Sequence, residues 1–463
     1  MGRQFQRVVA ISTLLFVGLA SGSTVGFAAR AESTCSRVGL TKTIGGATYL
    51  CARKGSTRVW VRTAKQIPPS RTVEAFLPPT NPPGNIDDCK LIENSYQRNR
   101  WGHIFAAFPP IGGNFEPAGT FKVALVPIDW SDLPGEANPL ARATDQIQLF
   151  NDWYDMVSEG KVKFVWTTYN KYVRVPGSAL DYSQARSGAG DSLANAAIKA
   201  ADPYIDFSDV RAVYFLPPKG QTVFRESVQA FKGSNLSAPI PTNEGPILNY
   251  ALAGAYFDEP PLNYWSYWAH ETAHMFKLPD LKYNWNNWGE VELPVPIGPF
   301  SGFDMLSNQD GPSRTLSAWM RFIIGWIPDS SIYCKDISQL KTTSIMLNPI
   351  DTRTVQYRAA MIRLSPTKLL AVESRRPSRF DCPAPMNRAG VLVYIVDATV
   401  GHGDGTQTLI APPGRQVTNP YTCHTPAILD AILNQGDSVT TNGITVKVVK
   451  VGTYDTVELA VSS

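Results

Sequence analysis

The sequence predicts an α+β protein in three parts: a small disulfide-stapled β-module, a central domain of helices packed on a mixed sheet, and a C-terminal antiparallel β-sandwich. Three observations carry this. Between residues 86 and 330, buried-strand runs such as 121–128 (FKVALVPI) and 210–216 (VRAVYFL) alternate with stretches of helical period. From about Pro328 onward the signals are those of strands only. Six Cys, at 35, 51, 89, 334, 382 and 423, form an even set of the kind that exported chains use as disulfides.

The chain opens on Arg3 and Arg7, then a short apolar run over 8–20, then Ala29-Arg30-Ala31. This predicts a cleaved export signal over residues 1–31 and a secreted, extracellular protein. The apolar run is too short to span a bilayer comfortably, and no later stretch is apolar enough to do so. A hydrophobic content of 43% and a charged content of 18% describe a globular chain rather than a disordered one. The net charge is only +4, without a long basic run, which argues against a nucleic-acid partner. Nothing in the sequence specifies an oligomeric state.

Residues 32–64 read as the β-module, with Gly45-Gly46 as a turn and Val59-Trp60-Val61 in a strand. It is too small to hold itself by its own core, so a Cys35–Cys51 bridge is expected. Residues 65–85 carry three Pro-Pro pairs and predict an extended linker. In the central domain, 86–330, strands are expected at 121–128, 162–175 and 210–216, and helices at 144–158 and 191–201. Residues 246–257 fit a buried strand or a loop. An amphipathic helix over 315–324, with Leu316, Trp319, Met320 and Ile323 inward, ends at Gly325. The sandwich, 331–463, has strands at 369–372, 390–396, 444–451 and 456–461, with Asn442-Gly443 as a hairpin turn. Six Cys allow 15 pairings; beyond Cys35–Cys51 the sequence leaves them open, with Cys89–Cys334 and Cys382–Cys423 as one arrangement that would clamp the central domain and staple the last.

The chemistry concentrates in residues 268–281, WAHETAHMFKLPDL. His270, Glu271 and His274 stand in the spacing His-Glu-x-x-His, which puts both imidazoles on one face of a helix, one turn apart. Two imidazoles and one further ligand suit zinc and leave a coordination position open for water. Glu271 would project beside that water, where a carboxylate can take a proton during attack on a carbonyl. An ordinary helix with two satisfied core histidines would carry the same letters. The flanks favour a metal site: acids and prolines at 257–261 signal a helix start, and Pro279 signals its end.

With Leu278-Pro279-Asp280 after it, this motif resembles the immune inhibitor A family of secreted metallopeptidases, within the metzincin group. The resemblance runs from about Phe121 to the C-terminus. It implies a zincin-like catalytic fold, zinc as the cofactor, and His270, His274 and Asp280 as its ligands. It also implies Glu271 as general base, proteins or peptides as substrates, and a Met-containing turn, for which Gly302 to Leu306 supplies Met305. For residues 246–257 it implies the edge of a substrate cleft. Leu316 to Trp326 also looks like the family's. One departure is Lys277, which stands where the family has Gly. It must either adopt a left-handed conformation or end the helix differently, and the second route would move Asp280 off the metal. A Glu from a following helix, His402 and His424 are the other candidate third ligands. Calcium is compatible with an exported protease, although the Asp-bearing loops at 129–132 and 404 lack the EF-hand pattern. Asp304 fits either a turn or a hydrogen bond orienting a ligand His. Two functions are expected: a zinc endopeptidase, or a non-catalytic surface or wall-binding protein on a peptidase-like fold. A binding protein has no need of Glu271.

Overall fold

The structure is a computed structural model. It describes residues 34–36, 41–44, 47–54, 56–62, 75–92, 106–111, 113–183, 189–220, 223, 230–232, 239–252, 263–281, 300, 302–309, 311, 313–381, 389–401, 403, 405–415 and 431–461. The expected export signal, His402, His424, Asp404 and the Cys382–Cys423 pairing lie outside them. Two compact units are present, Met1–Ala75 and Phe76–Ser463.

In the first unit, β1 (Thr41–Ile44), β2 (Ala47–Lys54) and β3 (Thr57–Arg62) form a three-stranded antiparallel sheet. Cys35 and Cys51 are bridged, and Cys51 is fully buried. With so few apolar residues, the bridge supplies the constraint that a hydrophobic core supplies elsewhere.

The second unit holds every remaining element. Its first part contains β4 (Gly119–Asp129), α1 (Thr144–Val157), β5 (Val162–Thr168), β6 (Val173–Arg174), α2 (Ala179–Ser183) and α3 (Ala189–Ala201). There follow β7 (Val210–Leu216), β8 (Ala230–Lys232), β9 (Ile240–Pro241), β10 (Pro246–Ile247), β11 (Tyr250–Leu252), α4 (Tyr264–Met275) and α5 (Ala318–Ile323). The main sheet runs β5-β4-β7-β11-β8, with β6 continuing beside β4. Its pairs are parallel except β11–β8, so the sheet is mixed. β4 from residue 123 and β7 from residue 212 are buried on both faces, which is why 123–128 and 212–216 read as unbroken apolar runs. Val123, Leu125, Ala212 and Tyr214 face α1 and α4, while Ala124, Val126, Val213 and Phe215 face α3.

Residues 162–175 form two strands and not one, and 246–252 form two, β10 and β11. β11 lies inside the sheet, between β7 and β8. The sequence left a cleft edge open for this stretch; among the described strands the antiparallel edge is β8.

The C-terminal part contains β12 (Ile332–Asp336), β13 (Thr343–Leu347), β14 (Ala359–Ser365), β15 (Lys368–Arg375), β16 (Gly390–Asp397) and β17 (Gln407–Leu409). β18 (Ser438–Thr441), β19 (Ile444–Lys450) and β20 (Asp455–Val461) complete it. Two sheets result, β12-β14-β15-β16-β17 and β13-β20-β19-β18. The expected all-antiparallel pattern needs correction, because β12 and β14 run parallel. β12 and β13 lie in different sheets, so β12 reaches β14 across an intervening strand rather than by a hairpin, and the Cys89–Cys334 bridge and the hydrogen bond from Gly84 N–H to Cys334 O tie it to the segment that enters the unit. The protein is thus α+β, with mixed sheets and few helices.

The five-stranded sheet is buried on both faces by strict alternation. Ile362, Leu370, Val372 and Val393 face the four-stranded sheet. Met361, Leu369, Ala371, Leu392 and Tyr394 face the core that holds α4 and α5. The sandwich therefore shares one hydrophobic core with the helices.

Candidate metal centre

α4 is where the candidate chemistry sits. Eleven of its residues are buried, and Glu271 is the one that is not. It starts at Tyr264 behind Asn263, later than the prolines at 260 and 261 suggest; residues 257–262 lie outside those described. The helix is fixed on three sides. Tyr154 Oη donates to Ala269 O at 2.7 Å from α1. Tyr214 of β7 bonds the Thr272 hydroxyl, and Tyr267 Oη donates to Leu252 O of β11 at 3.1 Å.

Its C-terminus decides the geometry. Lys277 adopts φ +73, the left-handed conformation that the sequence offered as one of two routes. Leu278 N–H bonds Ala273 O at 3.1 Å and Lys277 N–H bonds His274 O at 2.9 Å, the paired bonds of a Schellman turn. Asn114 and Phe115 N–H close the end by bonding Met275 O at 3.0 and 2.9 Å. The chain then reverses and carries Asp280 back to the helix face. Gly403 N–H, from the β16–β17 connection, bonds the Asp280 carbonyl at 3.0 Å.

His270 Nε2 lies 3.0 Å from Asp280 Oδ1, and His274 Nε2 lies 3.7 Å from the same oxygen. All three side chains are buried. The other ring nitrogens are spoken for. His270 Nδ1 bonds Met305 O at 2.9 Å, and His274 Nδ1 bonds Leu278 O at 2.7 Å. A carbonyl oxygen only accepts, so each Nδ1 carries a proton, and in its neutral form each ring turns the Nε2 lone pair inward. Two lone pairs and a carboxylate oxygen therefore converge, all within 4.8 Å of one another. Three electron-pair donors aimed at one point repel unless a cation lies among them. The donor set, nitrogen, nitrogen and oxygen with backbone carbonyls behind both rings, fits a divalent metal of the zinc type. His270, His274 and Asp280 could hold a metal ion, and among the described residues no other such group of three is found.

The turn after Gly302 contributes more through its backbone than through its side chains. Met305 is fully buried, and its carbonyl accepts the hydrogen bond from His270 Nδ1–H while its N–H bonds Thr315 O at 2.8 Å. Asp304 orients no ligand histidine directly. Its Oδ1 accepts from Leu306 N–H at 2.8 Å and its Oδ2 from Ser317 N–H at 2.6 Å, so it holds the turn against the start of α5. Burial pushes its carboxyl up to about 6, while those two N–H groups pull the other way. Asp129 is engaged by Arg174 and Gly135 N–H, and Asp132 by Ser178 and Ala179 N–H. These partners already occupy the carboxylates of the loop considered for calcium. Sequence reasoning missed the carbonyls of Met305 and Leu278 and the capping segment at 113–115, because a backbone acceptor carries no residue signature.

Against known proteins, no family model matches the chain, and no curated protein matches it. A solved structure that does match is a catalytically inactive OgpA from Akkermansia muciniphila in complex with an O-glycopeptide substrate. The identity is 10% and the TM-score 0.26, over 66% of this chain and 95% of that one. So shallow a likeness defines neither the fold nor the activity of this protein.

Proposed function

We propose that this protein is a secreted zinc endopeptidase of the metzincin type, similar to the immune inhibitor A family, acting on extracellular proteins or peptides. The observation that carries the reading is the convergence of His270 Nε2, His274 Nε2 and Asp280 Oδ1, with both Nδ1 protons held by backbone carbonyls. His270, His274 and Asp280 would hold the zinc. When bound, zinc would polarise a peptide carbonyl and acidify water. Glu271, the one α4 residue that keeps solvent access, takes the proton of the attacking water and passes it to the leaving amine. The carbonyls of Met305 and Leu278 keep both histidines in the ligand tautomer. Two disulfides, and the lack among the described residues of a helix long and apolar enough to cross a membrane, are compatible with an extracellular protein.

The test is casein or gelatin cleavage by the purified protein, with and without a chelator, beside Glu271→Ala. Cleavage should stop with chelator and return with zinc. Glu271→Ala should keep its zinc and lose cleavage by about 10²–10⁴-fold or more, the usual cost of losing a general base. Zinc-independent cleavage, or wild-type turnover in Glu271→Ala, would refute the mechanism. A zinc-bound wild type that cleaves nothing would leave the non-catalytic reading in its place.

A further inference from the structure

Two charged residues of the five-stranded sheet, Glu373 and Arg375, are buried on the face that packs on α4 and α5. Along β15, Leu369 and Ala371 point into the core that holds α4, and Glu373 and Arg375 follow at the same spacing. Glu373 lies opposite Ala359 and Leu392, both in that core, and is fully buried. Burying a carboxylate is costly unless donors meet it. Here they do. Glu373 Oε2 accepts from Ala318 N–H at 2.6 Å and from Tyr394 Oη at 2.8 Å, and Arg375 pairs with Oε1.

These donors belong to the element that follows the Met305 turn. Ser317 N–H goes to Asp304, Ala318 N–H to Glu373, Trp319 N–H to the Tyr394 hydroxyl, and Met320 N–H to the Ser317 hydroxyl. Four successive N–H groups at the start of α5 are thus satisfied, two of them by residues of the C-terminal sheet. The chain from there to the metal centre is short. Asp304 ties Ser317 to the turn, Thr315 O holds Met305 N–H, and Met305 O holds the Nδ1 proton of His270.

We propose that Glu373, with Tyr394 as its bridge, is a positioning residue for the metal centre: the C-terminal sheet sets the Met305 turn and, through it, the orientation of His270. This inference rests on the zinc reading above. Removing Glu373 would free Ala318 N–H and let the turn drift, so His270 would present Nε2 less accurately to the metal. The effect reaches metal affinity, not only folding.

The test is equilibrium zinc affinity of the full chain, measured by competition with a chromogenic chelator, with thermal unfolding of the metal-free protein alongside. Glu373→Ala should weaken zinc binding by about 10-fold or more, the usual scale for a lost partner behind a ligand. Glu373→Gln should restore most of the affinity, since its amide oxygen still accepts from Ala318 N–H. Val446→Ala, in the core between the two sheets, should lower the unfolding temperature and leave zinc affinity unchanged. If Glu373→Ala does not fold, Tyr394→Phe keeps the ring and removes only the bridging hydroxyl, and should weaken zinc binding several-fold. Folded Glu373→Ala with wild-type zinc affinity overturns the inference, as does an unchanged Tyr394→Phe or an equal loss in Val446→Ala. A wild type that takes no zinc overturns the zinc reading and the inference with it.

Discussion

Lys277 shows what a single residue can decide. A non-glycine side chain at φ +73 costs roughly 1–2 kcal/mol, yet that conformation is what returns the chain toward α4 and delivers Asp280. Lys277→Gly should therefore stabilise the protein by about 1 kcal/mol, reduced somewhat by the extra freedom of Gly when unfolded, and leave zinc affinity intact. Lys277→Val should do the reverse, read as denaturant midpoint. Asp304 gives a pH-dependent case. Its folded carboxyl titrates at about 6 against an ordinary value of 3.8, so its contribution is fully present below about pH 4 and is lost as pH rises through 6. The stability of the wild type relative to Asp304→Asn should fall by up to about 3 kcal/mol between pH 4 and 7. A flat difference across that range would contradict the assignment. At this scale the convergence of His270 and His274 was legible, because helix spacing converts directly into shared direction. The sequence left Asp304 between two roles, since the same side chain suits a turn or a histidine and only its partners tell them apart.

Elements were legible where burial left a pattern. The runs 123–128 of β4 and 212–216 of β7 are apolar because both their faces are covered there, and Asn442-Gly443 turns at φ +50 and +73 as a hairpin turn requires. Pairing partners were not legible. β12 joins β14 in parallel, and β8 takes the sheet edge, through contacts between residues far apart in sequence. The end of α4 belongs here too. Gly113 sits at φ +39 against it, and a Cβ there would come 2.4 Å from Met275 O and 2.8 Å from His274 O. Gly113→Ala should destabilise the protein by more than the roughly 1–2 kcal/mol of the backbone conformation alone, and should loosen zinc binding as the α4 terminus shifts. Unchanged unfolding and affinity would show that the 113–115 segment does not fix the helix end.

For the larger unit as a whole, the interleaved core predicts that its parts do not separate. The proline-rich stretch from Phe76 to Asn85 hydrogen-bonds the C-terminal sheets: Thr80 N–H reaches Ser344 O, Asn81 N–H the Thr343 hydroxyl, and Gly84 N–H Cys334 O. A chain beginning at Phe76 should fold, and one beginning at Ile86 should be measurably less stable. The Cys89–Cys334 bridge closes a separation of 245 residues, for which the chain-entropy view gives a stabilisation of about 5 kcal/mol. Its reduction should lower the unfolding temperature far more than reduction of Cys35–Cys51, with its separation of 16, lowers that of the larger unit. The sequence suggested a linker and a separate sandwich because proline pairs and a change of periodicity look like boundaries. It could not show that the outer face of the five-stranded sheet packs on the helices.

The central claim is that His270, His274 and Asp280 together hold zinc. The most direct measurement is zinc bound per chain at equilibrium in the wild type and in Asp280→Ala, each checked for folding by circular dichroism. The wild type should hold about one zinc, and Asp280→Ala should lose it at concentrations that saturate the wild type. A folded Asp280→Ala that retains zinc at wild-type affinity would contradict the account.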